Sequence, residues 1–177
     1  MADTTFPWKE IFQGWILDVG CADDILPLPN TIGFDLPDGG GDDLTKFYPP
    51  NSFDVVTGSQ VLEHMRDPVV ALHSWLKVVK PGGYIVASVP SWELYEKRVW
   101  PSEYNAGHIS TWSLYANASP AEVHCKLPEW LRQFPARVMR CVEVDTNYDR
   151  SKPAAIDQTF RFEDGVEAFC EFVLQRL

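Results

Sequence analysis

Ile16-Leu17-Asp18-Val19-Gly20-Cys21-Ala22-Asp23-Asp24 is an apolar run closed by an acid, one glycine and then a polar turn. Trp15 to Gly20 reads as a fully buried strand: short, apolar and ended by glycine. Working outward, Thr31 to Leu36 is a second strand, Ser52 to Gly58 a third, and Tyr84 to Val89 a fourth behind a Pro81-Gly82-Gly83 break. The best helix lies between the last two. Asp67 suits its N-cap and Pro68 its first position. Val69, Leu72, Leu76 and Val79 recur at helical spacing beside Trp75, and Pro81 with its two glycines stops the run. Strand, helix, strand at this spacing makes a right-handed parallel crossover, the mark of a doubly wound, mostly parallel α/β sheet.

The first crossovers are short. Fourteen residues separate Gly20 from Asp35, among them Pro27, Pro29 and Asn30, and six separate Asp35 from Asp42. A parallel connection normally takes a dozen residues or more and a helix. One face of the sheet is therefore expected to be thinly covered, or to be covered by partner subunits. In the C-terminal third, Ser119-Pro120-Ala121-Glu122 fits a capping box opening a short helix, which would carry His124. Arg137 to Asp145 alternates as a strand, and Ala168 to Leu174 fits a helix or a strand by pattern alone. Asp149 to Asp157 is polar, contains Pro153 and reads as an exposed loop.

A chain of 177 residues is long enough for one domain with a proper core. The net charge of −10 argues against DNA or RNA as substrate, because phosphate binding needs a basic surface. No apolar run approaches a membrane span, and Met1-Ala2-Asp3-Thr4-Thr5 lacks a signal-peptide pattern, so a cytoplasmic protein is expected. Cys21, Cys125, Cys141 and Cys170 are far apart, with no Cys-x-x-Cys pair and no Cys/His cluster, so no metal site is expected.

Ile16 to Asp24, Ser52-Phe53-Asp54-Val55-Val56, Val61-Leu62-Glu63-His64 and Lys80-Pro81-Gly82-Gly83-Tyr84-Ile85-Val86 follow in an order that resembles the class I, Rossmann-like, S-adenosylmethionine-dependent methyltransferases, of the compact type-11-like kind. The resemblance spans roughly residues 15–115. It implies a cofactor-binding core there, with 116–177 adding a C-terminal helix and an antiparallel hairpin, which favours a strand over Ala168 to Leu174. It also implies S-adenosylmethionine as cofactor and S-adenosylhomocysteine as product. The family's first turn is Asp/Glu-x-Gly-x-Gly-x-Gly. Here it is Asp18-x-Gly20-x-Ala22-x-Asp24, with one glycine left. Gly20 would let the backbone approach a ligand closely. Acids at positions 23 and 24 would repel a dinucleotide pyrophosphate, which disfavours a nucleotide-dependent oxidoreductase, whereas the cofactor's sulfonium and amino groups are cationic. Helix capping or solvation accounts for these two acids equally well.

The resemblance carries the cofactor over to particular positions. Asp18, Gly20, Cys21 and Ala22 form the first turn. Asp35, with Leu36, would accept from the ribose hydroxyls, though an Asp before Pro37 also starts turns. Asp42, Asp43 and Leu44 resemble the adenine turn, Asp42 standing twelve residues before Asp54; a solvated acidic loop is the other reading. Ser59 and Gln60 would line the methionine half.

Methyl transfer from a sulfonium is an in-line displacement in which the protein must orient the reactants, removal of a proton being optional. Two histidines are candidate bases. His64 follows the third strand. His108 lies in Gly107-His108-Ile109-Ser110, which resembles a Gly-His-x-Ser/Thr pattern among methyltransferases of polysaccharide biosynthesis. Against these stand a loop-ordering role for His64 and a backbone-bonded role for His108. Trp92, Tyr95, Trp100, Tyr104 and Trp112 would pack a sugar ring or form the core of a small flap. The function read here is a methyltransferase acting on a small molecule, with O-methylation of a sugar or nucleotide sugar as the narrower form. Its rival is a non-catalytic cofactor-binding or interaction module of the same fold. A homo-oligomer stays open.

Overall fold

A computed structural model describes residues 5–35, 43–153, 156–159 and 164–177. The central sheet contains β1 (Ile16–Val19), β2 (Thr31–Phe34), β3 (Phe53–Ser59) and β4 (Val79–Pro90), all parallel, followed in space by an antiparallel pair. A separate parallel pair, β5 (Ser110–Ser113) and β6 (Val123–Lys126), stands beside it. With β7 (Ala136–Val144) and β8 (Phe169–Arg176), the sheet order is β2-β1-β3-β4-β8-β7. This is the expected α/β architecture, including the C-terminal hairpin. The order reverses between β1 and β3, and ligands of such sheets sit beyond the carboxyl ends of the strands at that point.

One short helix, α1 (Trp8–Ile11), precedes the sheet, and α2 (Pro68–Val78) makes the β3–β4 crossover. Asp67 caps α2, its carboxylate accepting the Val69 and Val70 N–H groups at 3.0 Å each. Ala71, Leu72, Trp75, Leu76 and Val78 are buried against the sheet. The helix ends one residue earlier than the apolar spacing predicts: Val79 already pairs with Phe53 as the first residue of β4. Pro81, Gly82 and Gly83 therefore lie inside β4, at the irregularity where the register passes from Phe53 to Val55. Close approach requires the second glycine, because a Cβ on Gly83 would stand 2.5 Å from the Asp54 carbonyl oxygen.

Between Val19 and Thr31 the described chain makes turns and no helix, and a single 3-10 turn, Leu44–Lys46, precedes β3. On the second face, Ile11 of α1, with Phe6, Trp8 and Phe12, packs against Ile16, Val55, Val86 and Val173.

The capping-box expectation fails. Ser119 to Glu122 opens no helix; Val123–Lys126 is strand β6, and the next helix, α3 (Leu127–Trp130), begins after it. Pairing of Val123 to Lys126 with Ser110 to Ser113 overrides the local cap signal. Ser119 Oγ still accepts the Ala121 N–H at 3.2 Å, and it contacts Thr111 Oγ1 at 2.6 Å. His124 is thus a strand residue, fixed between Thr111 Oγ1 at 2.9 Å and the Ala116 carbonyl at 3.0 Å.

Candidate active site

At the carboxyl end of β1 the chain turns back through Gly20 at φ 73° and Ala22 at φ 46°. A Cβ on Gly20 would lie 2.4 Å from Val61 Cγ2. The missing side chain therefore makes room for the protein's own Val61. Ala22 holds the left-handed conformation where a glycine is usual. Its N–H donates to Asp35 Oδ2 at 3.1 Å, so the ends of β1 and β2 are tied through an exposed carboxylate. Asp18 is buried and takes the Leu26 N–H at 2.8 Å, which pins the short crossover; burial raises its carboxyl above the ordinary value, with the Leu26 bond opposing and Asp24 adding. Cys21 is half-buried beside Gly33, and Asp23 and Asp24 are exposed.

The adenine turn is less complete. Leu36 and Asp42 lie outside the described residues. Asp43 caps its own 3-10 turn, accepting the Thr45 N–H at 3.1 Å. Leu44 is a core residue whose N–H donates to Ser74 Oγ at 3.0 Å. At the end of β3, Ser59 and Gln60 are both held by Ser88 of β4. Ser59 Oγ contacts Ser88 Oγ at 3.0 Å, while Gln60 gives its backbone N–H to the Ser88 carbonyl at 2.9 Å and its amide to Ser88 Oγ at 3.1 Å. Ser88 is a positioning residue that strand periodicity alone does not single out.

The two candidate histidines, 44 positions apart, are brought together. Ile109 N–H donates to the Glu63 carbonyl at 2.9 Å, and His64 Nδ1 bonds the Gly107 carbonyl at 2.8 Å. The ring centroids of His64 and His108 are 5.0 Å apart. Gly107 allows this, since a Cβ there would sit 3.1 Å from His64 Nδ1. His108 is buried, with Nδ1 2.6 Å from Glu96 Oε1. Glu63 stands between the two rings, its Oε1 3.8 Å from each Nε2. Glu63 is fully buried, and among the described residues neither of its oxygens has a hydrogen-bond partner. Burial pushes its carboxyl up to about 8, opposed by a backbone bond and helped by Glu96. Burial also lowers His64, against the Gly107 bond and with His108 adding to it.

Glu63 and Glu96 were not among the residues that the sequence puts forward. The signal available for Glu63 is an acid inside the apolar Val61-Leu62 segment; for Glu96 there is none before His108 is placed.

Glu63, His64 and His108 line one cavity of about 640 Å³ with Ser59, Gln60, Tyr95, Tyr104, Asn105 and Asp157, and Ala168 and Phe169 also border it. Of the five aromatics, Tyr95 and Tyr104 face this cavity, whereas Trp92 and Trp112 are core and Trp100 is half-buried outside it.

A mostly parallel sheet with its switch point at β1/β3 and a C-terminal antiparallel pair is the Rossmann-like fold of the class I methyltransferases. Residues 12–117 match the methyltransferase-domain family, and the chain belongs to that family. An uncharacterised methyltransferase of Schizosaccharomyces pombe is 44% identical over 57 residues, 32% of this chain and 20% of the relative. The ubiquinone biosynthesis O-methyltransferase of Vibrio cholerae is 46% identical over 39 residues, 22% of this chain and 16% of the relative. These matches span a fifth or less of either relative's length. An S-adenosylmethionine-dependent methyltransferase of Methanosarcina mazei has the same fold, with a TM-score of 0.56 and 14% identity over 97% of this chain and 98% of that one. Among the described residues no helix is long and apolar enough to cross a membrane.

Proposed function

We propose that this chain methylates a hydroxyl oxygen of a small, uncharged polar molecule, a sugar in the narrowest form, using S-adenosylmethionine. One observation carries the reading. Ser59 and Gln60, at the strand end where the cofactor's methionine half belongs, line the same cavity as His64 and His108. Cofactor and acceptor would meet there.

The residues fit the cofactor in two of its three parts. Asp35 is exposed at the end of β2, and among the described residues its hydrogen-bond partner is the Ala22 N–H at Oδ2, which leaves carboxylate capacity for ribose hydroxyls. The acid-rich first turn suits a sulfonium and an ammonium. The adenine part rests on positions 36 and 42. When bound, the cofactor supplies an activated methyl group. The chain's own task is to hold the acceptor oxygen in line and to assist loss of its proton at the Glu63, His64 and His108 cluster.

Tyr95 and Tyr104 offer faces for a sugar ring, and Asn105, Asp157 and Thr159 offer polar partners for its hydroxyls. Glu63, Asp157 and Glu167 line the cavity, and among its described lining residues there is no Lys or Arg. The Asp157 and Glu167 carboxylates, with no cation among the described lining residues, disfavour the diphosphate of a nucleotide sugar and favour a free or neutral glycosyl acceptor.

Calorimetric titration with S-adenosylhomocysteine, followed by a sugar acceptor screen, tests the reading. Micromolar binding is expected. His108→Gln should spare that binding and cut turnover by about 100-fold or more. A folded protein that fails to bind either form of the cofactor at about 1 mM would overturn the proposal.

A further inference from the structure

The cluster at the head of the cavity has an imbalance of donors and acceptors. His64 Nδ1 bonds a backbone carbonyl, the Gly107 oxygen at 2.8 Å. A carbonyl only accepts, so Nδ1 carries the proton and Nε2 presents a lone pair. His108 Nδ1 lies 2.6 Å from the Glu96 carboxylate and so carries a proton as well; the neutral ring then presents Nε2 as a lone pair. Both bare Nε2 atoms face one oxygen of Glu63 at 3.8 Å, beyond hydrogen-bond distance. Glu63 is wholly buried, and neither of its oxygens has a partner among the described residues. Three groups that can each present a lone pair thus converge on one point, with no hydrogen bond between Glu63 and either ring. The two Glu63 oxygens are buried, and buried polar atoms are normally satisfied; a cation would satisfy them together with both imidazoles.

We propose that Glu63, His64 and His108 bind a single divalent transition-metal ion of the zinc class. The three ligand atoms lie within 4.8 Å of one another. Bonds of 2.0–2.1 Å to a tetrahedral ion would place them about 3.4 Å apart, against 3.8 Å for each Glu63–histidine pair and no more than 4.8 Å for any pair. Two imidazoles and a carboxylate favour Zn²⁺, Fe²⁺ or Co²⁺ over Mg²⁺ and Ca²⁺, which take oxygen ligands. The outer contacts also match a metal centre. One histidine donates to a carboxylate, Glu96, and the other to a backbone carbonyl, the two partners that orient metal-bound imidazoles. Three protein ligands leave a further position, and all three line the cavity proposed for the acceptor. The inference rests on the methyltransferase reading only for what the ion acts on: an acceptor hydroxyl bound at that position becomes more acidic, and the histidines then serve as ligands and not as bases.

The test is calorimetric titration of chelator-treated protein with Zn²⁺, with Mg²⁺ as control and Co²⁺ as a spectroscopic probe. One equivalent of Zn²⁺ is expected at micromolar affinity or tighter, with visible Co²⁺ absorption of a four- or five-coordinate site. Glu63→Gln and His64→Gln, each checked for folding by circular dichroism, should bind more than about 100-fold more weakly and lose the Co²⁺ bands. Glu96→Gln, acting through His108, should bind about 10–100-fold more weakly. No Zn²⁺ binding by the folded parent, or equal binding by the folded variants, overturns the site. S-adenosylhomocysteine is titrated into the same samples. Cofactor binding without metal binding refutes this inference alone, and metal binding without cofactor binding refutes the methyltransferase reading alone.

Discussion

Replacing Gly20 by alanine separates two reasons for a glycine at the end of the first strand. The residue stands at φ 73°, and its Cβ would lie 2.4 Å from Val61 Cγ2 and 3.0 Å from Val61 Cβ. The backbone conformation alone costs a residue with a Cβ about 1–2 kcal/mol. Forcing a methyl against a fixed neighbour adds about 1–3 kcal/mol. Val61 has little freedom to retreat: its Cγ1 stands 2.8 Å from where a Cβ on Gly58 would be, and the preceding Gln60 is bonded to Ser88. Gly20→Ala should therefore destabilise the fold by about 2–5 kcal/mol, lowering the melting temperature by roughly 5–15 °C in a chain of this length. Val61→Ala removes both Cγ atoms. In the double variant the steric part should return while the backbone part remains, giving a coupling of about 1–3 kcal/mol in urea unfolding of the four proteins. Additivity of the two substitutions to within about 0.5 kcal/mol would refute the steric argument and return Gly20 to a role facing the ligand.

Ala22→Gly should stabilise the protein by about 0.5–1 kcal/mol, as relief of the left-handed strain exceeds the added chain entropy; a lower urea midpoint would contradict this. Asp54 carries a pH signature. Burial raises its carboxyl, but bonds from Lys80 Nζ at 2.8 and 2.9 Å and from the Trp15 N–H at 2.8 Å outweigh that and hold it below 3.8. Its contribution to stability is complete above pH 3.8 and is lost as the pH falls through the lower folded value. Asp54→Asn should be destabilised at pH 7 and converge on the parent in strong acid, whereas a gap independent of pH in thermal melts would exclude the ion pair as the cause. Gly107→Ala should displace the His64 ring and break its bond to the 107 carbonyl. Turnover should drop with S-adenosylhomocysteine affinity unchanged, and full activity would show that the ring's position is immaterial.

The strands and the crossover were legible because their signals are local: apolar runs ended by Gly20 or Gly58, an Asp67-Pro68 cap, and chain gaps too short for helices. Val123 to Lys126 escaped because its structure is set by pairing with residues 110–113, while the local Ser119 to Glu122 pattern pointed to a helix. The histidines could be named, but not their relation. That depends on a backbone bond from Ile109 to Glu63 and on the missing Cβ of Gly107, neither of which has a sequence signature. Glu63 shows the same limit. Its chemistry comes from complete burial, and burial is a property of the assembled fold. Leu44 marks the opposite error, a position assigned to a ligand by its neighbours in sequence and taken instead by the core.

The hydrogen bonds that join residues 62–64 to residues 107–109 divide the protein's work between two inheritances. One half, from β1, β2 and the start of the Ser59-Gln60 turn, belongs to the open sheet and would recognise the same cofactor whatever the acceptor. The other, from Tyr95 to His108, is a flap anchored at its two ends by the buried Trp92, Leu94 and Trp112 and joined to residues 63 and 64 by hydrogen bonds of its backbone. Substitutions in the flap can reshape the acceptor pocket without touching the cofactor's seat. A change of acceptor in a descendant of this chain should therefore be written between residues 91 and 113, while the strand ends stay as they are.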